Sequence, residues 1–140
     1  MSAYGSLAAS YDRLTSDVPY AEILAFVQTL LTERGVAPRS VLDLACGTGT
    51  MSLLLAQSGY QVIGADMSEE MLTVAYDKAS ALPDNRPFFV CQRMERLCLP
   101  DPVDWVLCCL DSINYLTDPA ACQETFRRVY RSLCPGGVFI

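Results

Sequence analysis

The sequence predicts an α/β domain with a doubly wound, mostly parallel sheet. Helical and strand patterns alternate along the chain, and the strand segments are nearly continuous in hydrophobicity, as strands covered on both faces usually are. A chain of 140 residues with 51% hydrophobic content is also large enough to build one core. We therefore expect residues 1–140 to form a single domain.

The first half of the chain predicts helix, strand, helix, strand and helix in turn. "YAEILAFVQTLLTERG" places apolar residues at helical spacing and ends at Gly35, and "SVLDLA" is typical of a short buried strand. "TMSLLLAQSG" predicts a helix that ends at Gly59, and "YQVIGAD" predicts the next strand. "SEEMLTVAYDKASAL" predicts a helix with Ser68 as its N-cap and acidic residues in its first turn.

The second half predicts two further strands, a helix and a last strand. "FFVCQ" and "VDWVLCCL" are the strand segments, separated by the looping stretch "RMERLCLPDP". A helix is expected over about residues 119–133. The Pro-Gly-Gly of "CPGGVFI" then predicts a turn into a final short strand.

Charge and cysteine content exclude several classes of function. The net charge of −6, with no basic run, argues against a nucleic-acid-binding protein. The chain has seven cysteines without a C-x-x-C pair and no histidine, which disfavours a metal site and a disulfide framework and predicts reduced cysteines used as small core residues. With no membrane-length apolar run and no signal-peptide pattern, the sequence predicts a soluble, cytoplasmic protein.

Polar residues follow the predicted strands where a parallel sheet binds its ligands, at the carboxyl ends. "VLDLACGTGT" places Asp43 inside a buried strand, with Gly47 and Gly49 in the turn that leads to the next helix. These glycines allow a tight turn and a close approach to a ligand at the helix N-terminus. Asp66 ends the second strand, 19 residues after Gly47, where it could accept hydrogen bonds from a ribose diol.

Two features separate the possible adenosine-containing ligands. Ser52 occupies the position of the third glycine in the dinucleotide-binding G-x-G-x-x-G pattern. The Asp43 carboxylate beneath the loop is poorly matched to a pyrophosphate, but it suits a ligand that carries an ammonium and a sulfonium group. The pattern favours S-adenosylmethionine, while a nucleotide-dependent oxidoreductase and a non-catalytic or truncated binding module remain alternatives.

Four segments resemble the successive motifs of class I S-adenosylmethionine-dependent methyltransferases, in order and at their usual spacing. They are "VLDLACGTGT", "VIGADMSEEML", "VDWVLCCLDSINYL" and "LCPGGVFI", which together span about Ser40 to Ile140. The resemblance, closest to small bacterial members, implies a Rossmann-like sheet with strand order 3-2-1-4-5. It also implies leader helices over residues 1–36 and a cofactor-binding core over residues 37–140.

The resemblance implies roles for individual residues. Asp43 and the loop from Gly47 to Gly49 would meet the methionine part of the cofactor, Asp66 its ribose, and Met67 its adenine. Asp111 would lie near the methyl donor or acceptor and is the candidate catalytic residue, while Tyr4 and Tyr11 would close the pocket. The implied cofactor-binding set is Tyr11, Asp43, Ala45, Cys46, Gly47, Thr48, Gly49, Asp66, Met67, Met71, Arg93, Met94, Leu110 and Asp111.

The chain departs from the family pattern in one place. Family members often have an aspartate where this sequence has Arg93, and that aspartate accepts a hydrogen bond from the adenine amino group. Arginine has no acceptor, although the backbone amide of Met94 could still reach the base. The fourth strand ends in "LDSIN" rather than an Asn-Pro-Pro-Tyr type of run, which by resemblance favours a small-molecule methyl acceptor over a nucleic-acid base.

Enzymes of this family usually continue for two strands beyond the point where this sequence ends. We therefore expect the chain to be a portion of a longer enzyme that lacks its acceptor-recognition elements. The fifth strand would then be an uncovered, apolar edge, which is a template for pairing with another chain. This predicts that the chain taken alone self-associates through residues Val138 to Ile140 or is only marginally stable.

Overall fold

A computed structural model of the protein describes residues 18–109 and 118–140, which contain one five-stranded sheet in the order β3-β2-β1-β4-β5. All neighbouring strands in this sheet are parallel, so the predicted fold class and strand order are confirmed. The strands are β1 (Ser40–Leu44), β2 (Gln61–Asp66), β3 (Phe88–Cys91), β4 (Val103–Cys108) and β5 (Leu133–Phe139). The helices are α1 (Tyr20–Glu33), α2 (Thr50–Gln57), α3 (Glu69–Ala79) and α4 (Pro119–Ser132), with a 3-10 turn at Met94–Arg96.

Two apolar clusters cover the two faces of the sheet. Val41 and Trp105 pack with residues of α1 and α2, whereas Leu42 and Val106 pack with Val129 of α4. Successive residues of a strand point to opposite faces, so β1 and β4 contribute to both clusters. This double coverage explains why the strand segments are nearly continuous in hydrophobicity.

Side chains cap the helices that follow β2 and precede β5. The Ser68 hydroxyl accepts a hydrogen bond from the Met71 amide at 3.2 Å, which confirms it as the N-cap of α3. Asp118 caps α4 in the same way, since its carboxylate accepts from the Ala120 amide at 3.0 Å. Within the described ranges, no helix has both the length and the apolarity needed to cross a membrane.

The last strand differs from the sequence prediction. Strand β5 begins at Leu133, before the Pro-Gly-Gly segment, and pairs there with Val103; its register then shifts so that Val138 pairs with Trp105. The extra residues between these pairs are accommodated in the strand, with Gly136 at a φ of 81°. The predicted turn into a new strand is therefore an irregularity within one strand, because β4 holds both of its ends.

The cysteines are less buried than the sequence predicts. All seven are thiols that are not joined in disulfides, and none of them is fully buried. Cys91 and Cys98 are exposed because they lie on the edge strand β3 and in the loop that follows it. Cys108 and Cys109 do pack against the two apolar clusters, as small core residues would.

Candidate functional site

The candidate site lies where β1 ends, at the centre of the sheet. Asp43 of β1 is aligned with Gly64 of β2 on one side and with Leu107 of β4 on the other. The sheet reverses its order at β1, since β2 and β3 lie on one side and β4 and β5 on the other. Ligands of open α/β sheets bind at such a point.

The turn between β1 and α2 uses the left-handed backbone region three times. Gly47 and Gly49 have φ values of 58° and 81°, and Ala45 has a φ of 57° although it is not glycine. The Cys46 amide donates to the Ala65 carbonyl at 3.0 Å, which attaches this loop to the end of β2. Residues held in the left-handed region cluster at ligand sites, where the surrounding structure imposes the conformation.

Gly49 also permits close packing under the loop. A Cβ atom at this position would lie 2.9 Å from the Cβ of Ala75 on α3 and 3.4 Å from the Phe89 ring. A Cβ atom on Gly64 would lie 2.7 Å from the same ring. The Phe89 ring therefore occupies space that the two glycines leave open, a contact that was not predicted from the sequence.

Asp66 joins the glycine loop to the start of α3. Its carboxylate accepts hydrogen bonds from the Gly47 amide and the Ser68 amide, both at 2.9 Å. The Asp66 carboxylate thus lies beside the glycine loop, with one bond to each oxygen. Because a carboxylate can accept about four hydrogen bonds, Asp66 retains capacity for the hydroxyl groups of a ligand.

Asp43 is buried with a hydroxyl as its partner. The carboxylate is 2% exposed, and the Ser52 hydroxyl donates to it at 2.7 Å. The pKa of Asp43 is raised from 3.8 to about 7, chiefly because the carboxyl is buried and also because Asp66 is negatively charged, although hydrogen bonds from Ser52 lower it. From the sequence, Ser52 was notable only as the residue in place of a third glycine, although its position in the first turn after the loop indicates that it could face the end of β1.

The titratable groups that interact with Asp43 are a carboxylate and two thiols, which carry either negative charge or none. Burial, Asp43 and Asp66 raise the pKa of the Cys46 thiol well above its ordinary value, and burial with Asp43 raises the pKa of Cys109 to about 12. Both thiols are therefore protonated at neutral pH and are poor nucleophiles. In the described part of the chain, no cationic side chain contributes to the pKa shift of Asp43. Such a site favours a ligand that brings positive charge.

The expected adenine end lies beyond Asp66. Met67 is 59% exposed although it is a large apolar residue. Arg93 pairs with Glu95 at 3.4 Å and its side chain is 62% exposed, so it extends into solvent. The side-chain amide of Gln92 closes the loop from Gln92 to Cys98. It donates a hydrogen bond to the Cys98 carbonyl at 2.9 Å and accepts one from the Cys98 amide at 3.0 Å.

The structure brings one part of the predicted set together. Asp43, the glycine loop and Asp66 converge, while Thr48 and Met71 are buried below them at 1% and 6% exposure. Met94 packs against the apolar cluster on the α4 face. The predicted residues Tyr4, Tyr11, Leu110 and Asp111 lie outside the described residues.

Comparisons with known proteins agree with this geometry. A family model described as a methyltransferase domain matches residues 41–137. The chain is 40% identical over 139 residues to YqeM of Bacillus subtilis, which carries a provisional methyltransferase name, and the match covers 98% of this chain and 53% of YqeM.

Two crystal structures extend the comparison. An S-adenosylmethionine-dependent methyltransferase from Clostridium acetobutylicum superposes with a TM-score of 0.85 and 32% identity, covering 99% of this chain and 56% of that protein. The sugar N-methyltransferase KedS8 from Streptoalloteichus superposes with a TM-score of 0.82 and 27% identity. This match covers 94% of this chain and 51% of KedS8. The chain therefore spans about half the length of the proteins that it matches.

Proposed function

Because this chain belongs to the methyltransferase domain family, we propose that it binds S-adenosylmethionine and transfers the methyl group to a small-molecule acceptor. The observation that carries the proposal is the convergence of Asp43, the glycine loop and Asp66 at the end of β1. An acidic site without a cationic contribution to Asp43 suits a ligand with ammonium and sulfonium groups. Membership of this family favours a methyltransferase over the alternative of a nucleotide-dependent oxidoreductase.

The described residues fit the parts of this cofactor. The buried Asp43 carboxylate has acceptor capacity beyond its hydrogen bond from Ser52, which an ammonium group would use, and Asp66 has unused acceptor capacity for ribose hydroxyls. The exposed Met67 offers an apolar surface for a purine ring. Gly47 and Gly49 leave the loop without side chains, so that a ligand could approach its backbone closely.

Positioning is the main task of the protein in this chemistry. When bound, S-adenosylmethionine supplies a methyl carbon that the neighbouring sulfonium makes electrophilic. The chain has to hold the acceptor in line with that carbon and exclude water, which lowers the barrier by fixing the geometry. Asp111 stays our candidate for accepting a proton from the acceptor, a role required for oxygen and carbon acceptors but not for a neutral amine.

The acceptor class and the cellular location are further proposals. KedS8 is a sugar N-methyltransferase, and this supports a small-molecule acceptor here. The cytoplasmic location predicted from the sequence stays a prediction. A binding module that needs additional chain for catalysis is the second candidate, because the matched proteins are about twice as long.

We expect S-adenosylhomocysteine to raise the melting temperature of the chain. A ligand at 100 times its dissociation constant adds about 2.7 kcal/mol to the free energy of unfolding. Thermal unfolding with and without the ligand measures this, with NADH as the control nucleotide. A shift with NADH but none with S-adenosylhomocysteine would contradict the proposed cofactor and favour an oxidoreductase.

We expect Asp66→Ala to weaken S-adenosylhomocysteine binding by about 1 to 3 kcal/mol through lost hydrogen bonds to the ribose. The variant should also lower the stability of the free protein, because the Gly47 and Ser68 amides lose their acceptor. Calorimetric titration and chemical denaturation separate the two effects. Asp84→Ala, which removes an exposed carboxylate elsewhere, is the control; equal affinity of both variants would leave Asp66 a purely structural role.

We also propose that the chain self-associates through the β5 edge. Strand β5 borders the described sheet, and Ile140 is 38% exposed while its backbone still bonds to β4. A lysine on an edge strand discourages pairing, so Ile140→Lys should reduce the mass measured by light scattering. Phe88→Lys on the opposite edge strand β3 is the matched control. A monomeric wild-type chain, or a reduction only with Phe88→Lys, would refute this interface.

A further inference from the structure

Ser52 and Asp43 form a buried polar contact at the site. The Ser52 hydroxyl donates to the Asp43 carboxylate at 2.7 Å, and both residues are buried, at 0% and 2% exposure. Ser52 lies in the first turn of α2, directly after the glycine loop, so the contact joins the helix to the central strand. Because a buried carboxylate is costly unless it is hydrogen-bonded, this contact offsets part of the cost of burying Asp43.

Apart from Ser52, the causes that shift the pKa of Asp43 in the described part of the chain oppose its negative charge. Burial raises its pKa, and so does Asp66 at the end of β2. The thiols of Cys46, in the loop, and Cys109, after β4, interact electrostatically with Asp43 and bring no positive charge. Among the described residues, only the side chain and backbone of Ser52 lower the pKa of Asp43. The hydroxyl therefore favours the ionised form that a cationic ligand needs.

We propose that Ser52 is a positioning residue, whose hydroxyl orients the Asp43 carboxylate and favours its charged form for the ammonium group of an adenosyl amino acid ligand. This inference rests on the proposed function. A purely structural hydroxyl would contribute to folding alone. A positioning hydroxyl changes the charge of Asp43 and, through it, the pH dependence of ligand binding.

The test compares Ser52→Ala and Ser52→Thr with the wild type and with Ser58→Ala. Ser58 is the C-cap of the same helix, and its hydroxyl donates a hydrogen bond to the Leu54 carbonyl at 2.9 Å. Carbon NMR follows the titration of Asp43 in the ligand-free protein, and calorimetry measures S-adenosylhomocysteine binding at pH 6.5 and 8.5. The NMR measurement needs no ligand and reports on the contact directly.

For Ser52→Ala we expect the titration midpoint of Asp43 to rise by about one pH unit and binding to weaken about tenfold at pH 6.5. The loss should shrink to less than about threefold at pH 8.5, where Asp43 is mostly ionised in both proteins. Ser52→Thr should restore the midpoint, and Ser58→Ala should match the wild type.

Two results would overturn the inference while leaving the proposed function intact. The first is wild-type binding by Ser52→Ala at pH 6.5, and the second is an equal loss at both pH values with an unchanged Asp43 midpoint. If the wild-type chain itself binds no S-adenosylhomocysteine, the proposed function fails and the ligand role of Ser52 fails with it. The NMR midpoint then still decides whether Ser52 controls the charge of Asp43.

Discussion

Replacing Gly49 by alanine is expected to lower the free energy of unfolding by about 2 to 5 kcal/mol. A left-handed backbone costs a residue with a Cβ about 1 to 2 kcal/mol, and φ at Gly49 is 81°. The new Cβ would also lie 2.9 Å from the Cβ of Ala75, so that α3 has to shift, which costs about 1 to 3 kcal/mol. Chemical denaturation of the ligand-free chain measures the sum.

Gly59→Ala separates the two contributions. Gly59 has a φ of 96°, but a Cβ there would meet no atom within 4 Å. It should therefore show the backbone cost alone, about 1 to 2 kcal/mol. Equal losses for the two variants would mean that the close approach of the loop to α3 contributes nothing, and that Gly49 is required only for the turn.

The fold was predictable because its signals are local. The helix from Tyr20 to Glu33 follows from apolar spacing, and the N-cap at Ser68 follows from residue type and position. The strand order followed from the resemblance to a family, since nothing local specifies which strands are neighbours. The bulge in β5 escaped prediction because its register depends on pairing with Val103 and Trp105, two residues of another strand.

The site was predictable only as a set of residue types. The pattern indicated that Asp43, Gly47 and Asp66 share one end of the sheet, because parallel strands bring their carboxyl ends to the same edge. The pattern did not indicate which side chains contact the residues of the site. Ser52 meets Asp43 through the direction in which α2 leaves the loop, and Phe89 fills the space beside Gly64 from a different strand. Both contacts depend on tertiary packing, which no local signal encodes.

The second large effect concerns the pH dependence of stability and the variant Asp43→Asn. The pKa of Asp43 is about 7 in the folded chain and near 3.8 when the carboxyl is unperturbed. Because the folded-state value is the higher one, the folded chain binds this proton more tightly. The resulting stabilisation is complete below about pH 4 and is lost as the pH rises through 7, by up to about 4 kcal/mol.

Asparagine resembles the neutral acid, so Asp43→Asn should remove this loss and unfold at higher denaturant concentration than the wild type at pH 8. Denaturation curves from pH 4 to pH 8 measure the difference. Asp104→Asn is the contrasting control. Hydrogen bonds from the Arg39 amide, and also from Ser40, lower the pKa of Asp104. Its contribution is therefore present above about pH 4 and lost in acid, so this variant should lower stability evenly across the measured range and leave the slope between pH 5 and pH 8 unchanged.

The same substitution should abolish or strongly weaken S-adenosylhomocysteine binding, because an amide offers no charge to an ammonium group. Stability and affinity would then change in opposite directions, as expected for a residue that destabilises the free protein and serves the ligand. If Asp43 instead had a structural role, Asp43→Asn would lower stability at every pH and leave the shape of the pH curve unchanged. A more stable protein that no longer binds the ligand is the outcome that assigns Asp43 to the site.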